Sequence, residues 1–378
     1  MTNPPDALIV GGGPAGSALA IALARAGRSV VLLEREAGPH HKVCGEFLSH
    51  EAVLLLSTLG LDLNALGAQR IDHVRLESGS RSIEAMLPFG ALSLSRRSLD
   101  DALLRRASSC GADVRVGAKA QSLERRDGGW HARLPNGEDV AGRQVFIATG
   151  KHDLRGWNRP PEAQTDFIGF KLHWRLSPEE TRALGSHVEL SLFRGGYAGL
   201  ELVENGVANL CLVVRKSRFA RLGQSWEALL GAIRSEAPLL DRRLSGGQAS
   251  WGRPLAVSGI PYGYVRRTPG AAWFLGDQAA VIPSFSGDGM SIALHSARLA
   301  AAEYLAGAEP GLFQRHLARD IGQPVKIASL ISGLAVDPLG RMIITPLLTL
   351  LPGAVARIAA GTRVPERALR RLGLNVGP

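Results

Sequence analysis

Cysteine is scarce in this chain. Three residues, Cys44, Cys110 and Cys211, are spread over 378 positions. An odd, widely spaced set excludes a disulfide framework and points to a reducing compartment, so a cytoplasmic location is expected. The N-terminal segment MTNPPDALIV lacks the basic start and long apolar run of a signal peptide. A spanning helix is missing as well. The most apolar stretch, PLGRMIITPLLTLLPGAVARIAAGTR (residues 338–363), is interrupted by Pro346, Pro352 and Arg357, and a bilayer needs about 20 predominantly apolar residues in succession. No basic block stands out, although 44 Lys and Arg outnumber 34 Asp and Glu. With arginine dispersed and no zinc-finger or RNA-recognition signature, nucleic-acid binding is not expected. Aromatics make up 5% of the residues while glycine numbers 45, a balance that suits an α/β enzyme with tight turns. Apolar and charged fractions are those of a globular protein, and the length suggests two or three domains.

What is present begins at residue 7. Ala7 to Val10 is a short apolar run of the kind buried in a parallel sheet. Gly11, Gly13 and Gly16 follow in the spacing G-x-G-x-x-G, with Pro14 and Ala15 between them. Ala15 to Ala26 reads as a helix, and Ser29 to Leu33 as a second strand closed by Glu34, 23 residues after Gly11. Each residue type has a task. Gly11 permits the tight turn, Gly13 lets the backbone approach a pyrophosphate, Gly16 lets helix and strand pack closely, and the helix N-terminus faces the phosphates. Glu34, followed by Arg35, accepts hydrogen bonds from ribose hydroxyls and repels a 2′-phosphate. The unit is a dinucleotide site suited to FAD or NAD rather than NADP.

Two later stretches narrow this. VFIATG (145–150) is a buried strand ending in Ala148, Thr149 and Gly150, preceded by a β-meander with turns at Asp127–Gly129 and Pro135–Gly137. Ala272 to Leu275 reads as a strand, followed by Gly276 and Asp277. The turn SFSGDGM then opens a helix near Met290. Reduced flavin carries negative charge near N1, and backbone N–H groups of Gly287, Asp288, Gly289 and Met290 at a helix start would stabilise it, with Pro283 fixing the chain just before.

Taken in order, the N-terminal motif, SRRSLDDAL (95–103), ATG (148–150), GDQAAVIP (276–283) and GDGM (287–290) resemble the FAD-dependent monooxygenases of the p-hydroxybenzoate hydroxylase superfamily, in its geranylgeranyl reductase-like branch. The resemblance implies that Asp277 binds the ribityl or pyrophosphate part of FAD and that Arg96 (Arg97 in the other register) lies near the cofactor. It also places the segment K-x-C-G-E beside the flavin, with Gly45 allowing close approach and Cys44 and Glu46 facing the active site. Glu46 would serve as proton donor or acceptor if burial raised its pKa toward neutrality, or is a turn carboxylate. Cys44 relays a proton or packs as a small apolar residue. His40, His41, Cys44 and Glu46 are all metal-ligand types, but no second pair stands at ligand spacing, and no metal is expected.

The expected fold is α/β: a Rossmann-type FAD-binding domain with parallel sheet and β-meander (1–70, 93–152 and 263–315), an antiparallel-sheet substrate domain (71–92 and 153–262), and a helical C-terminal cap (316–378). Alternating apolar runs around the ENG turn at 204–206 supply the second sheet, where Tyr197 is the candidate substrate contact. The W-x-W-x-I-P run of flavin-dependent halogenases and the long P-x-x-Y-x-W-x-F-P motif of geranylgeranyl reductases are both missing. The first expectation is hydroxylation of a hydrophobic, aromatic or polyketide-like small molecule through a flavin C4a-hydroperoxide. The alternative is reduction or dehydrogenation of a carbon–carbon bond in an isoprenoid or lipid, and a third is a flavin electron-transfer or binding protein. NAD(P)H or another electron donor reduces the flavin. The apolar C-terminal segment either caps the substrate domain or lies on a membrane face through Arg341, Arg357 and Arg363.

Overall fold

The computed structural model describes residues 3–160, 165–268, 270–342 and 352–375. The apolar run Ala7–Val10 is buried throughout and lies at the centre of a five-stranded parallel sheet. Its order is Trp273–Phe274, Gln144–Ile147, Ala7–Val10, Val30–Glu34, Asp113–Val116. Ile9 stands in register with Phe146 on one side and Leu32 on the other. Strands so apolar need cover on both faces. Helices Pro14–Arg25, Arg96–Ser109 and Gly289–Leu305 pack together against this sheet. The meander Ser122–Arg126, Gly129–Arg133, Asp139–Gly142 forms a separate antiparallel sheet. Asp127 and Gly128 both have positive φ (53° and 76°), as a two-residue hairpin turn requires.

The second large sheet has nine strands and is mostly antiparallel. Its core is Phe167–Arg175, Val207–Arg215, Gly196–Val203 and His187–Phe193, continued by Gln69–Ser78, Arg81–Ser93 and the short strand Phe47–Leu48. Strand alternation divides the residues between two faces. Ala198, Leu200, Leu202, Leu210 and Leu212 pack beneath Leu229, Ile233 and Leu240 of helices Trp226–Glu236 and Pro238–Leu244. The opposite face carries Lys171, His173, Tyr197, Gly199, Glu201, Asn209 and Cys211 toward the parallel-sheet layer.

The chain passes from one sheet to the other through the twelve residues between Glu34 and Phe47. That crossing positions the site. Helix Pro310–Val336 runs across the expected junction at 315/316. Its Ala335 and Val336 pack with Leu76, Leu192, Tyr197 and Val213 of the nine-stranded sheet. Two shorter helices, Pro352–Gly361 and Glu366–Arg371, complete the described chain. Pro346 and the apolar residues around it, 343–351, lie outside the described residues. No helix among the described residues is long and apolar enough to cross a membrane.

Candidate active site

The first glycine turn is built by exclusion. A methyl group on Gly16 would sit 1.9 Å from the Gly11 carbonyl oxygen, and one on Gly11 (φ +109°) would sit 2.4 Å from the Ala148 carbonyl oxygen. Strand, turn and helix can approach this closely only as glycines. Pro14 occupies the first helical position, Gly13 offers no side-chain cap, and the first turn holds no acidic residue. The helix N-terminus is thus left free for an anion. Glu34 is buried, its Oε2 accepting the Gly12 N–H at 2.7 Å and its Oε1 the Glu36 N–H at 3.0 Å. Arg35 pairs with Glu36 at 3.0 Å on the surface beyond.

Of the two arginines left open by the sequence, Arg96 stands beside the first glycine turn. Its Nη2 lies 3.5 Å from where a Gly13 methyl would stand, whereas Arg97 is exposed. Asp100 holds the guanidinium through bonds of 2.7 and 2.8 Å and also accepts Lys42 Nζ at 2.9 Å. Gly276 (φ +56°) brings the Gly-Asp pair to the same turn, since a methyl there would lie 3.2 Å from Ala15 Cβ. Asp277 is half-buried, and its carbonyl accepts Arg159 Nη1 at 2.8 Å. Thr149 Oγ1 donates to the His152 carbonyl at 2.6 Å, and Gly150 has open space on its Cβ side.

The turn at Cys44 leads to a buried polar cluster. Glu46 is fully buried and adopts a left-handed conformation (φ 59°), uncommon for a non-glycine residue. Its Oε1 accepts the Arg96 N–H at 2.7 Å and the Lys171 ammonium; its Oε2 meets His173 Nε2 at 2.9 Å. Burial alone would raise this carboxyl, but the Lys171 charge and then His173 outweigh it and hold Glu46 below the ordinary range. The expected shift toward neutrality is therefore reversed, because Lys171 and His173 reach this carboxylate from a strand 125 residues away. Cys44 is half-buried, with its Sγ 3.4 Å from the Glu46 N–H. Asn209 Nδ2 donates to the Gly45 carbonyl at 2.9 Å and to Glu201 Oε1 at 2.7 Å, with the Cys44 carbonyl at 3.3 Å. Gly45 has nothing within 4 Å of its Cβ direction.

Asp288 is fully buried and turned away from the groove. Its Oδ1 accepts Ser49 Oγ at 3.0 Å and Arg363 Nη1 at 3.1 Å, and its Oδ2 accepts the Val364 N–H at 3.0 Å. The carboxylate anchors the C-terminal segment, which leaves the turn only its backbone to offer a cofactor. Burial pushes Asp288 up to about 6 against the pull of Arg363. Gly287 (φ +71°) lies against Phe47, Gly289 opens helix Gly289–Leu305 onto free space, and Met290 is buried in the core behind it. Pro283 leads into the short turn Ser284–Ser286.

Between these two turns and the nine-stranded sheet lies an apolar cavity of about 130 Å³, room for roughly one six-membered ring. The floor is Gly45, Phe47 and Ser284–Gly287. Tyr197, Gly199, Glu201 and Cys211 stand on the wall, and Ile331, Ala335, Ile358 and Arg363 close the cap side. Tyr197 therefore does line the cavity. Lys171, Glu201 and Asn209 were not singled out by the sequence, and Arg363, expected on a membrane face, is instead buried against Asp288. Glu201 shares strand phase with Tyr197 and sits in LELV, a signal that was readable. His41, Glu46 and His173 bring ligand-type atoms within 4.8 Å of one another, but the Lys171 ammonium on Glu46 makes the cluster a poor host for a cation.

Glu34, the Gly11–Gly16 turn and Gly276 at one end, and Gly45 and Gly289 with open space beside them at the other, fit an extended dinucleotide. A family model described as FAD binding domain matches residues 5–146. Menaquinone reductase of Mycolicibacterium smegmatis is 28% identical over 361 residues, covering 88% of this chain and 86% of that protein. Menaquinone reductase of Mycobacterium tuberculosis is 30% identical over 328 residues, 78% of this chain and 75% of that one. Digeranylgeranylglycerophospholipid reductase 1 of Methanopyrus kandleri is 30% identical over 313 residues, 78% and 79%. Among solved structures, the flavin-dependent brominase Bmp2 superposes with a TM-score of 0.77 at 19% identity over 98% of both chains, a likeness of fold. The chain is an FAD-dependent oxidoreductase and belongs to the p-hydroxybenzoate hydroxylase-like FAD superfamily, in the branch that includes menaquinone reductase and the geranylgeranyl reductases.

Proposed function

We propose that this protein reduces a carbon–carbon double bond in an isoprenoid lipid. The observation that carries the reading is the apolar cavity set directly between the Cys44–Phe47 turn and the Ser284–Gly287 turn, walled by Val74, Leu76, Leu190, Leu192 and Val213. A prenyl chain loses little by leaving lipid for such a lining. The relatives aligned along four-fifths of the chain bear the names of isoprenoid-lipid reductases, which moves reduction ahead of the hydroxylation first expected. Bound FAD would supply two-electron hydride chemistry. The chain's own residues bind it through the glycine turns, hold Arg96 by the phosphate end, and exclude water from the reacting bond with Phe47, Tyr197 and the cap helices.

Hydroxylation is the second reading, favoured by 41% identity over 86 residues to squalene monooxygenase 1,2 of Brassica napus, 22% of this chain. The two separate cleanly. Pre-reduced holoenzyme mixed anaerobically with a geranylgeranyl lipid should return oxidised flavin and a product heavier by two hydrogens. Turnover only with oxygen, with an oxygen atom added to the product, would overturn reduction.

A lipid substrate also needs a route in. Leu330 and Leu334, on one face of helix Pro310–Val336, are exposed, as are Leu339 and Met342 just beyond it. On the cavity side of that helix lie Ala328 and Ile331. This surface is where a peripheral membrane contact would form, and co-sedimentation with anionic vesicles tests it.

A further inference from the structure

Saturating a double bond consumes a hydride and a proton, and the apolar cavity contains few groups able to give the proton. The strand Gly196–Val203 presents Tyr197, Gly199 and Glu201 to the cavity. Glu201 is 2% exposed. Its Oε1 accepts Asn209 Nδ2 at 2.7 Å, and the same nitrogen reaches the Gly45 carbonyl at 2.9 Å. One amide thus ties the carboxyl to the turn whose open side faces the ring end of the cofactor groove. We propose that Glu201 is the catalytic acid that protonates the substrate carbon, with Asn209 as its positioning residue; the assignment rests on the reductase reading above.

The surroundings decide the protonation state. Tyr197 stands on the same strand, Asn209 and Cys211 on the next, Lys171 and His173 on the one beyond; Glu46 lies in the turn below and Arg363 at the cap. Lys171 pairs with Glu46, and Arg363 with Asp288. The Lys171 charge also pulls Glu201 downward, as the smallest of the influences on it. Burial is the dominant influence on Glu201, opposed by the Asn209 hydrogen bond and reinforced by the Glu46 charge, and the carboxyl is pushed up to about 8. It holds its proton at neutral pH. The other cavity hydrogens are held too tightly: Cys211 is pushed up to about 12 by burial, and Tyr197 well above its usual value.

The step balances. Bound reduced FAD, replenished by NAD(P)H or another two-electron donor, would supply the hydride that forms the C–H bond at one alkene carbon. The other carbon gains its C–H bond as the Glu201 O–H breaks. The carboxylate left behind keeps the Asn209 bond until solvent returns a proton.

The test uses holoenzyme reduced with dithionite and mixed anaerobically with a geranylgeranyl lipid. Glu201→Gln should bind flavin and accept electrons as the wild type does, while flavin reoxidation by lipid falls by about a hundredfold or more. Glu201→Asp should recover part of that rate. The wild-type rate should fall as pH rises through about 8, the residual Glu201→Gln rate should not, and Asn209→Ala should move the midpoint upward. Infrared spectra of the wild type should show a protonated carboxyl band that titrates over the same range and is missing in Glu201→Gln, a readout independent of turnover. Should Glu201→Gln fail to fold, Glu201→Asp and the wild-type infrared titration decide. A Glu201→Gln rate within threefold of wild type, or no such band, overturns the acid. Wild-type enzyme that lipid does not reoxidise overturns the reductase reading itself, and the band still reports whether Glu201 holds a proton.

Discussion

The two glycine-rich ends of the cofactor groove use the same residue for opposite reasons. At the nucleotide end, Gly11 and Gly16 are there because nothing larger fits: backbone oxygens stand 2.4 and 1.9 Å from where their methyl groups would be. At the ring end, Gly45 and Gly289 border open space. The first pair is paid for by the fold and the second is kept for a ligand. Substitutions at the first should therefore act on stability and at the second on binding.

The largest effect is expected at Gly16. Gly16→Ala drives a methyl into the Gly11 carbonyl and should cost more than about 4 kcal/mol, read as loss of soluble protein or a collapse of the denaturation midpoint. Next is Glu46→Gln, which strands the buried Lys171 ammonium and should cost roughly 3–5 kcal/mol, while pairing it with Lys171→Met should recover most of the loss. The pH dependence follows from the lowered Glu46 pKa. A carboxyl depressed in the folded state adds stability that is present above its unfolded value of about 4.3 and is lost as pH falls through the folded one. Acid titration of wild type against the double variant should thus converge only below that range.

Smaller changes sharpen the contrast. Asp288→Asn removes the ionic part of the anchor on Arg363 and should cost roughly 1–3 kcal/mol, with faster hydrogen exchange at the Val364 amide as its signature. Gly45→Ala should change stability by no more than about 0.5 kcal/mol and weaken flavin binding by about tenfold, the equivalent of roughly 1.4 kcal/mol, measured by fluorescence titration. If Gly45→Ala instead unfolds the protein and leaves flavin affinity intact, the distinction between the two ends fails.

The nucleotide end was legible because it is local. Strand, turn, helix and Glu34 lie within one continuous βαβ segment, and each residue's role depends on neighbours a few positions away. The polar cluster was not, because Glu46, Lys171, His173, Glu201 and Asn209 come from a turn and three strands whose pairing no short window reveals. Traces were present. In GFKLHWR (169–175), Lys171 and His173 alternate with Phe170, Leu172 and Trp174, the mark of a strand with one polar face. Asp288 shows the limit from the other side: its turn was recognisable, but the Arg363 that claims its side chain lies 75 residues on. The left-handed Glu46 had no sequence signal at all.

That same anchor has a consequence for synthesis. Ser49, Asp288, Arg363 and Val364 must meet before the substrate chamber has all its sides. While a ribosome is still adding the last stretch, the greasy wall around Leu76, Leu192 and Val213 has emerged without its covering helices. Nascent chains stalled between about residues 300 and 350 should consequently be the species most prone to aggregate or recruit a chaperone.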